Sequence, residues 1–196
     1  MKKSSKEWLR RHVSDPYVKQ ARKQGYRSRA AFKLLEIDAK EKFFRPGQTI
    51  LDLGAAPGGW SQVAAGKVKP GGRVIAIDLL DIAPISGVTV MKGDFRRVPI
   101  DVRADAVLSD LSPNLSGIAD VDQARSLELA SGALQLCRKA LKPDGVFLLK
   151  AFHGEAFGEL MAALKAAFAK VKVVKPSASR GESAETYVVA RGILAR

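Results

Sequence analysis

Thr49-Ile50-Leu51-Asp52-Leu53-Gly54-Ala55-Ala56-Pro57-Gly58-Gly59-Trp60-Ser61 is the stretch on which the fold turns. Thr49 to Leu53 is a short, mostly apolar run of the kind that forms a buried parallel strand, and the glycine-rich segment that follows breaks it at once. A helix can begin from Trp60. A strand, a tight turn and a helix N-terminus put small residues where a ligand must approach the backbone, with free N–H groups pointing at it. Gly54, Pro57, Gly58 and Gly59 therefore read as the wall of a nucleotide-type pocket.

The spacing argues against the usual dinucleotide site. That fingerprint is G-x-G-x-x-G with a pyrophosphate on the helix N-terminus, whereas here Ala56 replaces the middle glycine and Pro57 stands in the turn. Asp52, just before the turn, would repel a pyrophosphate but suits a ligand bearing a sulfonium and an ammonium group, as S-adenosylmethionine does. Residues 73–78, RVIAID, end in Asp78, placed to take two ribose hydroxyls. Residues 88–94, VTVMKGD, end in Asp94, placed to accept from an adenine amino group. Any one of these acids reads equally well as a strand-end residue. Three of them after three strands point to one ligand.

At 196 residues the chain fits one domain with a full core. It has no apolar run of membrane-spanning length, and charged residues follow Met1-Lys2-Lys3, so a cytoplasmic protein with no membrane partner is expected. One cysteine, Cys137, and two histidines, His12 and His153, provide neither a disulfide nor a metal site. The net charge of +13 is polarised, because residues 1–46 hold 14 Lys and Arg against 5 Asp and Glu. Arg10, Arg11, Arg22, Lys23, Arg27 and Arg29, set among Trp8, Tyr17 and Tyr26, suit phosphate neutralisation with base stacking. The competing reading is a solvated cationic tail.

Residues 1–26 thus read as a basic, partly mobile RNA-binding segment and residues 27–196 as the catalytic domain. Ser28 is expected to cap a helix through about Phe44, and a second helix runs from the glycine turn to about Val68. The segment between Phe95 and Ser109 carries Pro99 and little helical periodicity, so the crossover there should hold no more than a turn or so. Asp105 to Ser109 is the fourth strand, with Asp110 at its end. Asp122 to Leu141 is an amphipathic helix, Val146 to Lys150 an apolar strand, and Glu155 to Phe168 a helix. Val171 to Lys175 and Thr186 to Ala190 are close enough to pair antiparallel. The α/β class follows: a mainly parallel sheet with a terminal antiparallel hairpin and helices on both faces. Ligands of such sheets sit at the carboxyl ends of the strands, where Asp110 and Lys150 lie.

DLGAAPGGWSQ at residues 52–62, SDLSPN at 109–114, LLKAFHGE at 148–155 and KPSASRGESAETY at 175–187 together resemble the FtsJ/RrmJ family of RNA ribose 2′-O-methyltransferases. YRSRAAFKLLEI at 26–37 is similar to the family's amino-terminal motif, and the likeness covers nearly the whole chain from about Tyr17. The resemblance implies a Rossmann-like S-adenosylmethionine-dependent methyltransferase fold with a seven-stranded sheet. It places a catalytic tetrad on Lys33, Asp110, Lys150 and Glu185, and cofactor contacts on Gly58, Trp60, Asp78, Asp94 and Asp110. By resemblance the substrate is a uridine of large-subunit ribosomal RNA; a monomer is expected. The chain departs from many members in the shortness of residues 95–109.

Such a tetrad answers a chemical need. Methyl transfer from a sulfonium releases a neutral thioether and needs no acid, but a ribose hydroxyl is a poor nucleophile until its proton is removed. Lys150 can take that proton where burial and a second cation, Lys33, disfavour its ammonium form, with Asp110 and Glu185 orienting the groups. His153 is the rival base. Cys137, in a helical pattern away from the strand ends, does not suit base-carbon methylation, and Asp110-Leu111-Ser112-Pro113-Asn114 lacks the second proline and aromatic typical of amino-group methylation. Two alternatives stay open: a transfer RNA anticodon-loop substrate, and a non-catalytic RNA-binding protein on the same fold.

Overall fold

The computed structural model describes residues 14–114, 116–181 and 183–194. Five helices, α1 (Pro16–Gln24), α2 (Ala30–Glu41), α3 (Gly59–Lys67), α4 (Ala119–Ala140) and α5 (Glu155–Ala167), are described with seven strands. These are β1 (Thr49–Leu53), β2 (Arg73–Asp78), β3 (Val88–Lys92), β4 (Ala104–Ser109), β5 (Leu141–Phe152), β6 (Phe168–Val174) and β7 (Glu185–Ile193). They form one sheet in the order β3-β2-β1-β4-β5-β7-β6. The pairs from β3 to β5 are parallel, and β7 runs antiparallel to both β5 and β6. The chain leaves β1 toward β2 and β3, then returns to lay β4 on the other side of β1, so the strand order reverses between β1 and β4.

Both faces of the sheet are covered, which is why the central strands are mostly apolar on both sides, with Asp52 of β1 a buried exception. Along β5, Phe147 and Leu149 enter a core with α4 and α5, among Leu134, Leu160 and Leu164, while Val146 and Leu148 enter the opposite core with Leu34, Ile37, Trp60 and Val63 of α2 and α3. The period of two thus divides one apolar run between two cores. Each fully buried leucine contributes about 1.5–3 kcal/mol relative to exposure.

The structure corrects several sequence expectations. The part of the basic segment that is described is no tail: α1 is capped by the Asp15 carboxylate, which accepts from Tyr17 N at 3.0 Å, and Val18 and Ala21 are buried. Ser28 is not the cap of α2, whose N-cap is Arg29 with no side-chain cap bond. That helix ends at Glu41 rather than Phe44 because the Asp38 carboxylate captures the N–H groups of Phe43 and Phe44 at 3.2 and 3.1 Å while Lys42 turns left-handed. The next long helix, α4, starts before Asp122, whose carboxylate accepts from Ser116 N and Gly117 N at 2.7 and 3.1 Å. The two last strands do pair, but β7 inserts between β6 and β5, which puts Glu185 at the strand ends beside Lys150. Among the described residues no helix stands between β3 and β4.

Candidate active site

The turn after β1 is built as its glycines require. Gly54 has φ 71° and Gly58 φ 108°, and a Cβ on Gly58 would lie 2.6 Å from Ile85 Cδ1. Only glycine holds that backbone without strain. Gly58 is also the N-cap of α3 with no side-chain cap bond, and the Ala56–Pro57 peptide beside it is cis. First-turn N–H groups of α3 are thereby left for a ligand.

Three acids stand around this turn in different states. Asp52 is fully buried, accepts from Ser61 Oγ at 2.6 Å through Oδ2, and has no hydrogen-bond partner at Oδ1 among the described residues. Burial pushes its carboxyl up to about 7, against the Ser61 hydrogen bond and with help from the charges of Asp110 and Asp78. A buried orphan oxygen at the foot of a glycine cradle fits a ligand that brings a cation or a donor. Asp78 accepts from Ala56 N at 2.9 Å and from Leu80 N at 2.8 Å, one bond per oxygen, so each oxygen keeps a lone pair for a hydroxyl. Asp94 is held by Arg96 at both oxygens: the Arg96 N–H and Nε reach Oδ1 at 3.0 Å each, and Nε and Nη2 reach Oδ2 at 3.1 and 2.8 Å. Those side-chain and backbone hydrogen bonds hold the Asp94 carboxyl below the usual range.

The sequence-predicted tetrad converges at the carboxyl ends of β4 and β5. Lys150 Nζ donates to the Asp110 carbonyl oxygen at 2.7 Å and lies 3.2 Å from Asp110 Oδ1. Its side chain is 8% exposed. Lys33, delivered by α2, pairs with Glu185 Oε1 at 2.6 Å. Burial works to lift the Glu185 carboxyl, but the charge and hydrogen bond of Lys33, the Ser179 hydroxyl and Lys150 together hold it below the usual carboxylate range.

Tyr187, which the sequence reading missed, joins the two pairs. Its hydroxyl donates to Asp110 Oδ1 at 3.0 Å, and Lys33 Nζ lies 5.8 Å from its ring centre. Burial, with Asp110 and Glu185 adding negative charge, pushes its phenol well above the ordinary value, so it stays a donor. The signal was present in its spacing: two residues beyond Glu185 on one strand is the same face. Also missed was Ser179, whose Oγ donates to Glu185 Oε1 at 2.9 Å.

Not every predicted residue faces the cleft. Trp60 is 3% exposed, donates through Nε1 to Ala30 O at 2.8 Å and packs its rings 5.7 Å from Tyr187. It is a core residue that ties α2 to the site. Arg27 spends its guanidinium on Pro57 O, Ala83 O and Pro84 O at 3.1, 2.6 and 2.8 Å, which buttresses the turn from behind. Arg29 pairs with Asp15 at 2.8 Å and donates to Ala178 O. Both guanidinium groups have donors engaged by protein acceptors that sequence distance had hidden, Arg27 by neutral carbonyls and Arg29 by a carboxylate, rather than standing open to RNA as expected. Arg22 and Lys23 are exposed on the last turn of α1. Arg10 and Arg11 lie outside the described residues. His153 is exposed, its ring centre 4.5 Å from that of Phe157 with the planes tilted by 42°. Cys137 is fully buried, its thiol pushed up by burial, which makes it no nucleophile. Among the described residues no three His, Cys, Asp or Glu side chains are grouped to hold a metal, and no helix is long and apolar enough to cross a membrane.

Residues 26–193 match the family model described as FtsJ-like methyltransferase. A protein of Nitrosospira multiformis named ribosomal RNA large subunit methyltransferase E is 49% identical over 199 residues, covering 97% of each chain. One of the same name from Alcanivorax borkumensis is 49% identical over 200 residues, covering 97% of this chain and 96% of its own. A solved chain from Plasmodium falciparum, described as a ribosomal RNA methyltransferase, is 28% identical with a TM-score of 0.77, over 87% of this chain and all of its own.

Proposed function

We propose a reaction and a substrate from one premise: this chain belongs to the FtsJ-like methyltransferase family of S-adenosylmethionine-dependent RNA methyltransferases. The protein methylates the 2′-hydroxyl of a ribose in RNA, and its substrate is a uridine of large-subunit ribosomal RNA. The observation that carries the chemistry is the Lys150–Asp110 contact. The relatives named for ribosomal RNA carry the substrate.

When bound, S-adenosylmethionine supplies a methyl group on a sulfonium, whose departure leaves a neutral thioether. Asp52, Gly54, Pro57, Gly58 and Gly59 would hold its methionine part and pass it under the first turn of α3. Asp78 would take the ribose hydroxyls. Asp94 would accept from the adenine amino group as an Arg96 donor gives way, since that arginine's contacts engage both carboxylate oxygens, and Asp110 closes the pocket toward the acceptor. Trp60 acts in this scheme from behind, by fixing the helix and tyrosine that line the cleft.

Lys150 is the proton acceptor. A neutral amine has two N–H donors and one lone pair. One N–H is taken by the Asp110 carbonyl at 2.7 Å and the Asp110 carboxylate lies 3.2 Å away, which fixes the amine so that its lone pair can meet the incoming ribose hydroxyl. Tyr187 holds the same carboxylate from the other side. The Lys33 ammonium, anchored on Glu185, sets a positive charge beside the acceptor position and steadies the developing alkoxide. In our reading the protein is a cytoplasmic monomer that acts on the ribosomal subunit or its RNA.

The test is to incubate the protein and labelled cofactor with large ribosomal subunits, naked ribosomal RNA and transfer RNA, then map the 2′-O-methyl group. Label at one ribose of large-subunit RNA is expected. Label in transfer RNA alone would overturn the substrate, and RNA binding without label in any RNA would overturn the reaction.

A further inference from the structure

The turn at residues 176–181 lies at the far end of the chain from α1, yet the two are locked together. Ala178 is fully buried with Ala21 of α1 and Phe32 of α2, and Tyr17, Tyr26 and Leu35 pack against them. Polar contacts close around this plug from both helices. Glu36 Oε2 accepts from Ser177 N at 2.6 Å and from Ala178 N at 3.3 Å, while Tyr17 reaches its other oxygen at 3.4 Å. Asp15 pairs with Arg29 at 2.8 Å and contacts Arg180 at 3.5 Å, and Arg29 in turn donates to Ala178 O.

The next residue of the turn is Ser179, 7% exposed, whose hydroxyl donates to Glu185 Oε1 at 2.9 Å. That oxygen is the same one that holds Lys33 Nζ at 2.6 Å. One carboxylate oxygen thus receives a neutral donor from the turn and a cationic donor from α2, and the two together fix its rotamer. Without the serine, Glu185 loses its neutral donor from the turn and leans on the long, flexible lysine and the Tyr187 hydroxyl, and the Lys33 ammonium loses a fixed anchor.

We propose that Ser179 is a positioning residue for methyl transfer, acting through Glu185 on the Lys33 ammonium, and that α1 clamps the turn so that the serine hydroxyl stays in place. The inference rests on the reading of Lys33 and Glu185 as part of the reacting cluster. It adds a purpose for α1 beyond its charge: the helix that presents Arg22 and Lys23 is also the clamp of a catalytic anchor.

Two variants test it in steady-state methylation of the RNA established as substrate. Ser179→Ala should lower kcat about tenfold, the usual worth of a hydrogen bond to a charged group, with KM for RNA and cofactor unchanged. Asp15→Ala, which loosens the clamp without touching Glu185, should lower kcat in the same way by a smaller factor. In a Glu185→Ala background neither substitution should have any further effect, since the residue they act through is gone. A wild-type kcat in Ser179→Ala would overturn the proposal, as would an equal loss in the Glu185→Ala background, which marks a general structural role. A Ser179→Ala protein that loses its fold leaves the decision to Asp15→Ala, on the same criteria. If the wild-type enzyme methylates no RNA, it is the function that fails; if it is active and Ser179→Ala is indistinguishable from it, only this inference does.

Discussion

At the scale of single residues, the site separates groups by environment. Asp52 and Glu185 are both carboxyls near the cleft, but burial with no cation pushes the first up to about 7, while Lys33, Ser179 and Lys150 hold the second down. Because the Asp52 carboxyl is raised in the fold, the folded protein keeps a proton that the unfolded chain has released above its ordinary value of 3.8. Its effect on stability therefore turns unfavourable as pH rises from about 4 through about 7. A cationic ligand at the orphan Oδ1 favours the ionised form, so cofactor affinity should rise about an order of magnitude between about pH 6 and 8 as that group ionises in the free protein. Asp52→Asn should flatten the dependence. Calorimetric titrations at three pH values check it, and a flat wild-type profile would sink the assignment. Lys150 carries a sharper outcome. Lys150→Ala and Lys150→Arg should both lose about 10²- to 10⁴-fold in single-turnover rate with RNA and cofactor binding retained, because a guanidinium cannot give up its proton near neutral pH. Substantial activity in Lys150→Arg would move the base to Asp110, His153 or water.

Elements explain what was legible in the sequence and what was not. The glycine turn, the apolar runs of β1, β2, β4 and β5 and the helix that follows each glycine break are local signals, and the structure keeps them within a few residues. Helix ends were less legible, since Asp38 and Asp122 terminate or anchor their helices through backbone groups of neighbouring loops, a choice that composition does not show. The insertion of β7 between β5 and β6 and the docking of the turn at 178 under α1 were not legible at all. Both join segments more than a hundred residues apart, or set an order of strands that pairing alone leaves free. The same contrast makes a prediction about α3. Gly58→Ala forces a Cβ to 2.6 Å from Ile85 Cδ1 at φ 108°. That strain, about 1–3 kcal/mol, should lower Tm by a few degrees and weaken cofactor binding. Gly66→Ala, on the same helix with nothing within 4 Å of its Cβ, should instead raise Tm slightly, since alanine is favoured over glycine in a helix by up to about 1 kcal/mol. Equal effects of the two in thermal unfolding would mean that helix propensity, not the shape of the turn, governs this segment.

Across the whole molecule, charge and architecture are superposed rather than separate. The first quarter of the chain holds much of the excess of a protein at net +13, yet the structure divides those cations by task. Arg27 and Arg29 are consumed in holding the turn and the clamp, whereas Arg22 and Lys23 stand exposed on α1 with no ion pair among the described residues. Each Lys or Arg that neutralises a phosphate releases counterions and adds about 0.7 to 0.9 to the slope of log K against log salt. Replacing Arg22 and Lys23 with alanine should therefore weaken RNA binding and reduce that slope by about 1.5, with Tm and cofactor affinity unchanged. Replacing Arg27 and Arg29 should do the opposite: Tm and turnover fall, while the salt slope barely moves. Binding isotherms from low to moderate salt, read beside thermal unfolding of the same variants, separate the two groups. A slope that follows Arg27 and Arg29 instead would show that RNA displaces their protein acceptors, and the RNA path would then run over the glycine turn rather than along α1.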